Sequence, residues 1–215
     1  MHYRDDVSAF DGAKLAKLDR KGETNNRINA YVMGKLADAG IRTHFVSLLN
    51  ERESLVKAMK MIPVECVVRN ICAGSMAKRY GIEEGTRLPE PIFEFFLKSD
   101  ALHDPLVNDD HIRVLKWATA AEIAQMKSLT HRVNAVLKPM FANAGIDLVD
   151  YKLEFGHPLD DLQGELVLGD EFTPDGCRLW DANTGEKLDK DRFRRDLGEV
   201  IEHYREVGRR IGAPL

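Results

Sequence analysis

The chain has 215 residues, with 31 Lys and Arg against 35 Asp and Glu, which gives a net charge of −4. This length suggests one or two lobes, and the balanced charge argues against a general nucleic-acid binder. No stretch approaches the roughly 18 apolar residues that a membrane span needs, and the first residues hold no apolar signal core. Three cysteines without a CxxC pair predict neither a disulfide framework nor a zinc site, which favours a reduced, cytoplasmic protein.

The N-terminal quarter of the sequence predicts one helix and one hairpin. The first 25 residues are polar and predict loops around short extended pieces, including a solvated acidic turn over 5–12. Apolar residues then recur every three to four positions and predict a helix over 26–39. Strands over 43–49 and 54–59 follow, joined by a polar turn.

The middle of the sequence predicts further strands around one long helix. Residues 62–69 are rich in β-branched side chains and predict a strand whose alternate residues face opposite sides. A short strand over 92–97 comes next, and a capping-box pattern then opens a long helix over 119–144. The strand over 146–155 has a predicted hairpin partner over 165–168.

The order of these elements predicts the fold class. The strands come in hairpins and the helices lie between groups of strands, which favours an α+β fold over a doubly wound parallel sheet. A charged amphipathic helix over 191–211 ends the chain. We expect two lobes, a smaller one over 1–60 and a larger one over 61–215.

A charged strand face is the most informative candidate site. Alternation along the strand places Asp150, Lys152 and Glu154 on one side. A solvated face with cross-strand ion pairs would give the same pattern. The hairpin that follows, however, can bring Glu154 close to Asp170, and paired carboxylates suit Mg²⁺ together with substrate phosphates.

Basic residues after the first long strand suggest an anion site. Arg69 lies on the polar face of its strand and is followed by a turn of small residues that ends at Ser75. A guanidinium and a hydroxyl at the start of a helix suit a bound anion. The alternative is that Arg69 pairs with Glu65, two positions away on the same face.

A second basic group lies near the C-terminus. Arg178 follows a turn and could bind a phosphate or carboxylate through two hydrogen bonds, or it could pair with Asp175 or Asp181 at the surface. Basic residues over 190–195 oppose the dipole of the helix that they begin. That conflict is a weak indication of an anionic ligand near this helix start.

Two long segments carry a family resemblance. Residues 61–75, MIPVECVVRNICAGS, and 148–156, LVDYKLEFG, closely resemble the signature segments of the SAICAR synthetases, which are phosphoribosylaminoimidazole-succinocarboxamide synthases. The resemblance runs from about residue 4 to the C-terminus. Shorter family-like stretches lie at 81–86, 104–106, 169–175 and 189–194.

The resemblance implies a reaction and a fold. ATP, carboxyaminoimidazole ribonucleotide (CAIR) and L-aspartate would give SAICAR, ADP and phosphate, through an acyl phosphate on the CAIR carboxylate that the aspartate amine attacks. The implied fold is two-lobed, with antiparallel sheets and a kinase-like ATP cleft, and the implied cofactors are ATP and Mg²⁺. The implied partners are these small-molecule substrates.

The resemblance also implies roles for individual residues. Glu154 and Asp170 would hold Mg²⁺, and Lys152 and Asp175 would be catalytic, with Lys152 against the transferring phosphate or the CAIR carboxylate. Adenine would lie along the segment around Lys57 to Met61. The implied substrate-binding residues, with Arg194 assigned to the phosphate of CAIR, are Arg69, Ser75, Arg178, Arg194, Lys190 and Asp191.

The start of the sequence departs from the family pattern. The family normally begins with a strand, a glycine-containing turn and lysines of the K-L-Y-x-G-K-x-K type, which cover the ATP phosphates, whereas this sequence begins at what resembles the next strand. The alternative expectation is therefore a catalytically impaired ribonucleotide-binding module. A sheet edge left exposed in this way favours pairing with another chain, and we expect a homodimer.

Overall fold

The computed structural model describes residues 1–10 and 12–215, so Asp11 of the predicted acidic turn lies outside the described residues. The strands are β1 Asp6–Ala9, β2 Lys14–Lys17, β3 Phe45–Leu48, β4 Ser54–Val56, β5 Met59–Ile71, β6 Arg87–Leu97, β7 Leu106–Val107, β8 Ile146–Pro158, β9 Val167–Gly169 and β10 Cys177–Asp181. The helices are α1 Lys21–Asp38, α2 Gly74–Tyr80, α3 Asp109–Val114, α4 Ala120–Asn143, α5 Asp191–Arg194 and α6 Val200–Ile211.

One antiparallel sheet organises the molecule. Its strand order is β10-β8-β5-β6-β7, with β9 also paired to β8, and β1–β2 and β3–β4 form separate two-stranded sheets. Each of these pairings is antiparallel. The predicted α+β class with antiparallel sheets is therefore confirmed.

The central sheet buries one face against the long helix α4. Val64, Cys66 and Val68 of β5 are fully buried, as their alternation predicts. They share a core cluster with the apolar side of α4, including Met126 and Val133. This leaves the other face of β5 and β8 free to carry polar side chains.

The capping box predicted for α4 is present. The Thr119 hydroxyl accepts a hydrogen bond from the Glu122 backbone N–H, and the Glu122 carboxylate accepts one from the Thr119 backbone N–H. These contacts satisfy N–H groups that have no partner within the helix. The helix therefore begins where the sequence predicts.

Helix α1 begins at Lys21, five residues before its predicted start. The added turn carries Lys21, Thr24 and Asn25, which are polar yet buried. Apolar periodicity cannot detect such a turn, because Lys21 and Asn25 are held by the distant Asp175, and the Thr24 hydroxyl donates to the Arg20 carbonyl.

The C-terminal helix is broken, so the prediction of one continuous helix over 191–211 is wrong. Asp196, Gly198 and Glu199, which separate α5 from α6, have φ angles of 55°, 73° and 50°. Left-handed backbone cannot continue a right-handed helix. The break turns α6 back, so that its Tyr204 packs in a cluster with Val7 of β1.

The hydrophobic core runs across the predicted lobe boundary at residue 60. Ile28 and Val32 of α1 belong to the same cluster as Val64 and Val68 of β5. The division into lobes over 1–60 and 61–215 stays a prediction. Among the described residues, no helix has the length and apolar character that a bilayer span requires.

Candidate active site

A cavity of about 290 Å³ lies over the polar face of the central sheet. Direct pairing of Arg69 with Asp150 and of Val67 with Lys152 places the polar side chains of β5 and β8 on this one face. Seven of the predicted site residues line the cavity, namely Arg69, Ser75, Lys152, Asp175, Arg178, Lys190 and Arg194.

The carboxylates of this strand face are buried, so the expectation of a solvated face is wrong, whereas the cross-strand ion pairs of that alternative are present. Asp150 is 4% exposed and Glu154 is 1% exposed. Buried carboxylates are costly unless cations or hydrogen-bond donors meet them. The partners of these two residues therefore define the site.

Lys152 lies at the centre of a carboxylate cluster. Its Nζ donates to Glu154 Oε1 at 2.6 Å, to Glu65 Oε1 at 3.0 Å and to Asp170 Oδ2 at 3.1 Å. Lys98 Nζ donates to the other oxygen of Glu154 at 2.5 Å. The structure therefore brings Glu154 and Asp170 together around one ammonium group, and we call these five residues the carboxylate cluster.

Charge balance within the carboxylate cluster keeps the central lysine protonated. Burial alone would lower the pKa of Lys152, but Asp170, Glu154 and Glu65 outweigh burial and raise it above its ordinary value. Burial would likewise raise the pKa of Asp170, yet the Lys152 ammonium lowers it. Burial raises the pKa of Glu65 in spite of Lys152.

The donor set of the cluster fits a hard divalent cation. Its carboxylate oxygens are the ligand type that Mg²⁺ prefers, and Mg²⁺ usually takes only one or two protein carboxylates together with substrate phosphates. Within residues 1–10 and 12–215, no group of three or more His, Cys, Asp or Glu is arranged as a metal site. Glu154 and Asp170 suit a two-carboxylate site of this kind.

Arginine side chains dominate the other end of the cavity. Arg69 Nε donates to Glu94 Oε2 at 2.6 Å, its Nη1 donates to Asp150 Oδ2 at 2.9 Å, and its Nη2 donates to Ser75 Oγ at 3.2 Å. The alternative pairing with Glu65 is wrong, because Glu65 contacts Lys152 instead.

Arg178 shares the acceptor of Arg69. Its Nη1 donates to Asp150 Oδ2 at 2.8 Å, and its Nε donates to Asp191 Oδ2 at 3.0 Å. The alternative of surface pairing with Asp175 or Asp181 is therefore wrong. Burial would lower the pKa of Arg178, but Asp150 and Asp191 raise it.

Asp191 lies beneath the arginines and is 1% exposed. Its Oδ1 accepts from Arg194 Nη1 at 2.7 Å, while its Oδ2 accepts from Arg178. Burial raises the pKa of Asp191, but Arg178 and Arg194 outweigh burial and lower it. Its place in this network is that of a partner to two arginines that line the cavity.

Asp175 is held by residues from both ends of the chain. Its Oδ2 accepts from Lys21 Nζ at 2.6 Å and from Asn25 Nδ2 at 2.9 Å, and its Oδ1 accepts from the Tyr204 hydroxyl at 2.7 Å. Burial, followed by the Asp175 and Asp170 charges, raises the pKa of the neighbouring Glu171 to about 7.

The predicted nucleotide-contacting residues lie outside this cavity. Lys57 is exposed, and its backbone N–H donates to the His44 carbonyl at 2.8 Å. Met61 is 36% exposed and lines a separate cavity of about 1010 Å³ with Pro63 and Thr119. Neither residue lines the cavity over the polar face, although the Met61 side chain approaches Gly169, which precedes Asp170 of the carboxylate cluster.

Several site residues were missed from the sequence, because their partners are far away along the chain. Glu94 lies in the predicted strand over 92–97, where alternation could have indicated a polar inward position. Lys98 directly follows that strand. The sequence around Lys21, Asn25 and Tyr204 carries no local signal for a contact with Asp175.

Comparison with known proteins gives the family. The family model described as SAICAR synthetase matches residues 1–211. The chain belongs to the SAICAR synthetase family. Curated phosphoribosylaminoimidazole-succinocarboxamide synthases from Hahella chejuensis and Nitrosococcus oceani are 61% and 59% identical to it, over 99% and 100% of the chain and 88% and 89% of their own lengths.

Solved SAICAR synthetase structures have the same fold. The enzyme from Ehrlichia chaffeensis is 48% identical, with a TM-score of 0.97 over 100% of this chain and 90% of its own. A SAICAR synthetase solved in complex with ADP is 43% identical, with a TM-score of 0.95 over 100% of this chain and 90% of its own.

Family membership fixes the class of reaction. The chain is an ATP-dependent carbon–nitrogen ligase of purine biosynthesis, and it uses an adenine nucleotide and small-molecule substrates. A catalytically impaired binding module is not favoured, because identities of 59–61% extend over the whole chain.

Proposed function

We infer that the chain joins CAIR and L-aspartate, with consumption of ATP, to give SAICAR, ADP and phosphate in this cavity. We assign the reaction to this cavity because one strand supplies it with two ends of different charge. Lys152 among carboxylates lies two residues from Asp150 among arginines. One end suits a metal-bound phosphate and the other suits an anionic ribonucleotide.

The reaction needs activation of a carboxylate. A carboxylate oxygen of CAIR attacks the γ-phosphorus of ATP, the bond to ADP breaks, and an acyl phosphate forms. The aspartate amine then attacks the acyl carbon, an amide bond forms, and phosphate leaves with the oxygen. The protein contributes mainly positioning and charge stabilisation in such phosphoryl transfers.

Lys152 supplies positive charge where the phosphoryl group moves. Three carboxylates hold its ammonium in place, so little reorganisation is needed when negative charge develops on the transferring group. The position of the Lys152 ammonium among these carboxylates is what supports a catalytic role for it.

The arginines bind the ribonucleotide. Arg69 and Arg178 are fixed by buried carboxylates, and Arg194 is fixed by Asp191, so all three present oriented guanidinium groups to the cavity. Guanidinium groups bind phosphates and carboxylates through paired hydrogen bonds. Ser75 and Lys190 add a hydroxyl and an ammonium to this lining.

Asp175 orients the bound substrate in our proposal. Lys21, Asn25 and Tyr204 hold its carboxylate from two helices, α1 and α6. A side chain fixed by three donors places its remaining acceptor positions with little loss of conformational entropy on binding. Through these contacts, residues near the N-terminus and near the C-terminus both hold Asp175 in the site.

Glu154 and Asp170 would hold Mg²⁺ in the working enzyme. The bound ion would neutralise charge on the ATP phosphates.

We also propose that adenine lies near Met61, whose side chain approaches Gly169, the residue before Asp170.

We further propose that the enzyme is a cytoplasmic homodimer. Val46, Leu48 and Leu55 leave apolar side chains exposed on the β3–β4 hairpin, which suits contact with a second copy. The cysteines are free and buried, as in a reducing compartment. Sedimentation equilibrium of the purified chain would give twice the 24.3 kDa chain mass for a dimer.

A coupled ADP-release assay tests the proposed reaction. We expect ADP release that requires CAIR and L-aspartate together, and SAICAR as the product in equal amount. Omission of each substrate in turn provides the control. ADP release that is unaffected by CAIR would contradict the assignment.

A further inference from the structure

Three strands place a carboxylate between two arginines in a single row. Asp150 of β8 is directly paired with Arg69 of β5 on one side and with Arg178 of β10 on the other. Residues that are directly opposite in neighbouring strands have side chains on the same face. Sheet register alone therefore puts Arg69, Asp150 and Arg178 side by side, and we call these three residues the arginine row.

Both guanidinium groups use the same acceptor atom. Asp150 Oδ2 accepts from Arg69 Nη1 at 2.9 Å and from Arg178 Nη1 at 2.8 Å. The Asp150 and Arg69 side chains are buried and that of Arg178 is largely so, which strengthens charge interactions relative to those in water. Without a shared anion, the two like charges would repel each other.

Further contacts fix the outer side of each arginine. Glu94 binds Arg69 Nε at 2.6 Å, and Asp191 binds Arg178 Nε at 3.0 Å. Gly74 lies against the Arg178 guanidinium so closely that a Cβ at this position would overlap it. The two arginines are therefore held from both sides.

We propose that Asp150 is a positioning residue that sets the spacing of Arg69 and Arg178 for the anionic groups of CAIR, with Glu94 and Asp191 as its outer supports. Asp150 acts through the two arginines, because its Oδ2 accepts from both of them. The inference rests on the proposed function of this cavity, in which both arginines bind CAIR.

The test is steady-state kinetics of Asp150→Asn. Asparagine keeps the size and one acceptor oxygen but removes the charge, so we expect the KM for CAIR to rise about tenfold or more, as for a lost charged hydrogen bond. The KM for ATP should stay within about twofold. A merely structural role would reduce the amount of active enzyme, and so kcat, while the KM for CAIR stayed unchanged.

A matched control lies on the same strand. Asp147 pairs with the exposed Arg87, whose Nη2 donates to Asp147 Oδ2 at 2.6 Å. Neither residue lines the cavity. Asp147→Asn removes the same charge three residues away, and it should leave both KM values unchanged. A similar rise in this variant would overturn the proposal, because the effect would then be one of overall charge.

Two more variants separate failure of the inference from failure of the proposed function. Arg178→Lys should raise the KM for CAIR, because lysine cannot reproduce the paired donors. An unchanged KM in Arg178→Lys and Arg69→Lys would overturn the proposed function of the arginines and this inference with it. A raised KM in these two variants with an unchanged KM in Asp150→Asn would overturn the positioning role alone.

Glu94→Gln keeps the proposal testable where Asp150→Asn does not fold, as judged by circular dichroism. It removes the charge that supports Arg69 from outside, together with the ion pair between Glu94 and Arg79, without altering β8. We expect a rise of a few-fold to about tenfold in the KM for CAIR and an unchanged KM for ATP. An unchanged KM for CAIR in folded Glu94→Gln would contradict the proposal.

Discussion

The two ends of the cavity differ in the sign of the charge at their centre. In the carboxylate cluster, one ammonium of Lys152 meets the three carboxylates of Glu65, Glu154 and Asp170. In the arginine row, one carboxylate of Asp150 meets two guanidinium groups. Both centres lie on β8, two residues apart, so the same strand carries carboxylates suited to a cation at one end and guanidinium groups suited to an anion at the other.

This difference arises from tertiary partners and not from the strand itself. β8 contributes an alternating acid, base and acid at Asp150, Lys152 and Glu154. Strands β5 and β10 add arginine beside Asp150, whereas β5 and the turn after β9 add carboxylates beside Lys152. The sign of each end is therefore decided by residues up to 87 positions away.

Replacement of Lys152 by methionine should have the largest effect, a loss of kcat. Methionine keeps the apolar stem but leaves three carboxylates without their common cation. Loss of one well-placed stabilising donor costs about 10²–10³ in kcat, or ~3–4 kcal/mol. The ADP-release assay measures this loss.

Lys127→Met provides the matched control, because Lys127 pairs with Asp109 outside this cavity. Its kcat should stay near that of the unmodified enzyme. A kcat for Lys152→Met within about tenfold of the unmodified value would remove Lys152 from the chemistry.

Replacement of Glu154 by glutamine should weaken nucleotide binding at the cation end alone. The change removes one charge that we assign to Mg²⁺, so ATP affinity with Mg²⁺ should fall about 10- to 100-fold, or ~1.5–3 kcal/mol. Affinity for ATP without Mg²⁺ should change little. Calorimetric titrations with and without the ion separate the two, and equal loss in both would contradict a metal role.

Glu165→Gln supplies the control for that titration, because the Glu165 side chain is 80% exposed and only loosely paired with Arg42. Glu154 by contrast is buried, so its replacement should also lower the free energy of unfolding, in contrast to the small effect expected for a solvated face. Urea unfolding of both variants measures this.

The cavity shows how far sequence reasoning reached. Alternation along β8 predicted that Lys152 and Glu154 share a face, and alternation along β5 placed Arg69 on the polar face of its own strand, because strand periodicity is a local property. Apart from Asp170, which the hairpin after β8 predicted, the partners of these residues were not predictable locally. Glu94 and Lys98 reach them from β6 and the residue after it, and the alternatives that paired Arg69 with Glu65 and Arg178 with Asp175 or Asp181 were wrong.

The fold followed the same division between local and distant causes. The capping box at Thr119 and the β-branched run of β5 gave elements close to those observed. The buried polar turn at Lys21 and the break at Gly198 could not be predicted from periodicity. In both cases contacts or backbone angles override an amphipathic pattern.

Replacement of Gly74 by alanine should disturb the anion end without a change of charge. Gly74 has a φ of 57°, and its Cβ would overlap the Arg178 guanidinium. We expect CAIR affinity to fall about tenfold and the free energy of unfolding to fall by about 1–2 kcal/mol, the cost of left-handed backbone for alanine. Isothermal calorimetry with CAIR and urea unfolding give the two values.

Gly34→Ala is the control for this substitution. Gly34 lies within α1, and a Cβ there would meet nothing within 4 Å. Alanine at this position should stabilise the protein by about 0.5–1 kcal/mol and leave CAIR affinity unchanged. Equal CAIR affinity in Gly74→Ala and Gly34→Ala would show that the position of Arg178 does not matter for binding.

Replacement of Asp191 by asparagine should have the smallest effect. It should lower the free energy of unfolding by an amount that depends on pH. Arg178 and Arg194 lower the pKa of Asp191 in the folded protein despite its burial. The folded state therefore binds fewer protons than the unfolded state near pH 4, so this stabilisation is complete above the ordinary aspartate pKa and is lost as the pH falls through the lowered value. Asp191→Asn should cost about 1.5 kcal/mol at pH 7.

The difference between Asp191→Asn and the unmodified protein should shrink as the pH falls below about 4, because the unfolded state then gains a proton on Asp191 that the folded state binds only at a lower pH. Urea unfolding at pH 7, 5 and 3.5 measures it. Asp196→Asn is the control, since the Asp196 side chain is 84% exposed in its pair with Lys14 and such pairs contribute little. A constant difference for Asp191→Asn at all three pH values would mean that the ion pairs of Asp191 with Arg178 and Arg194 do not stabilise the folded protein.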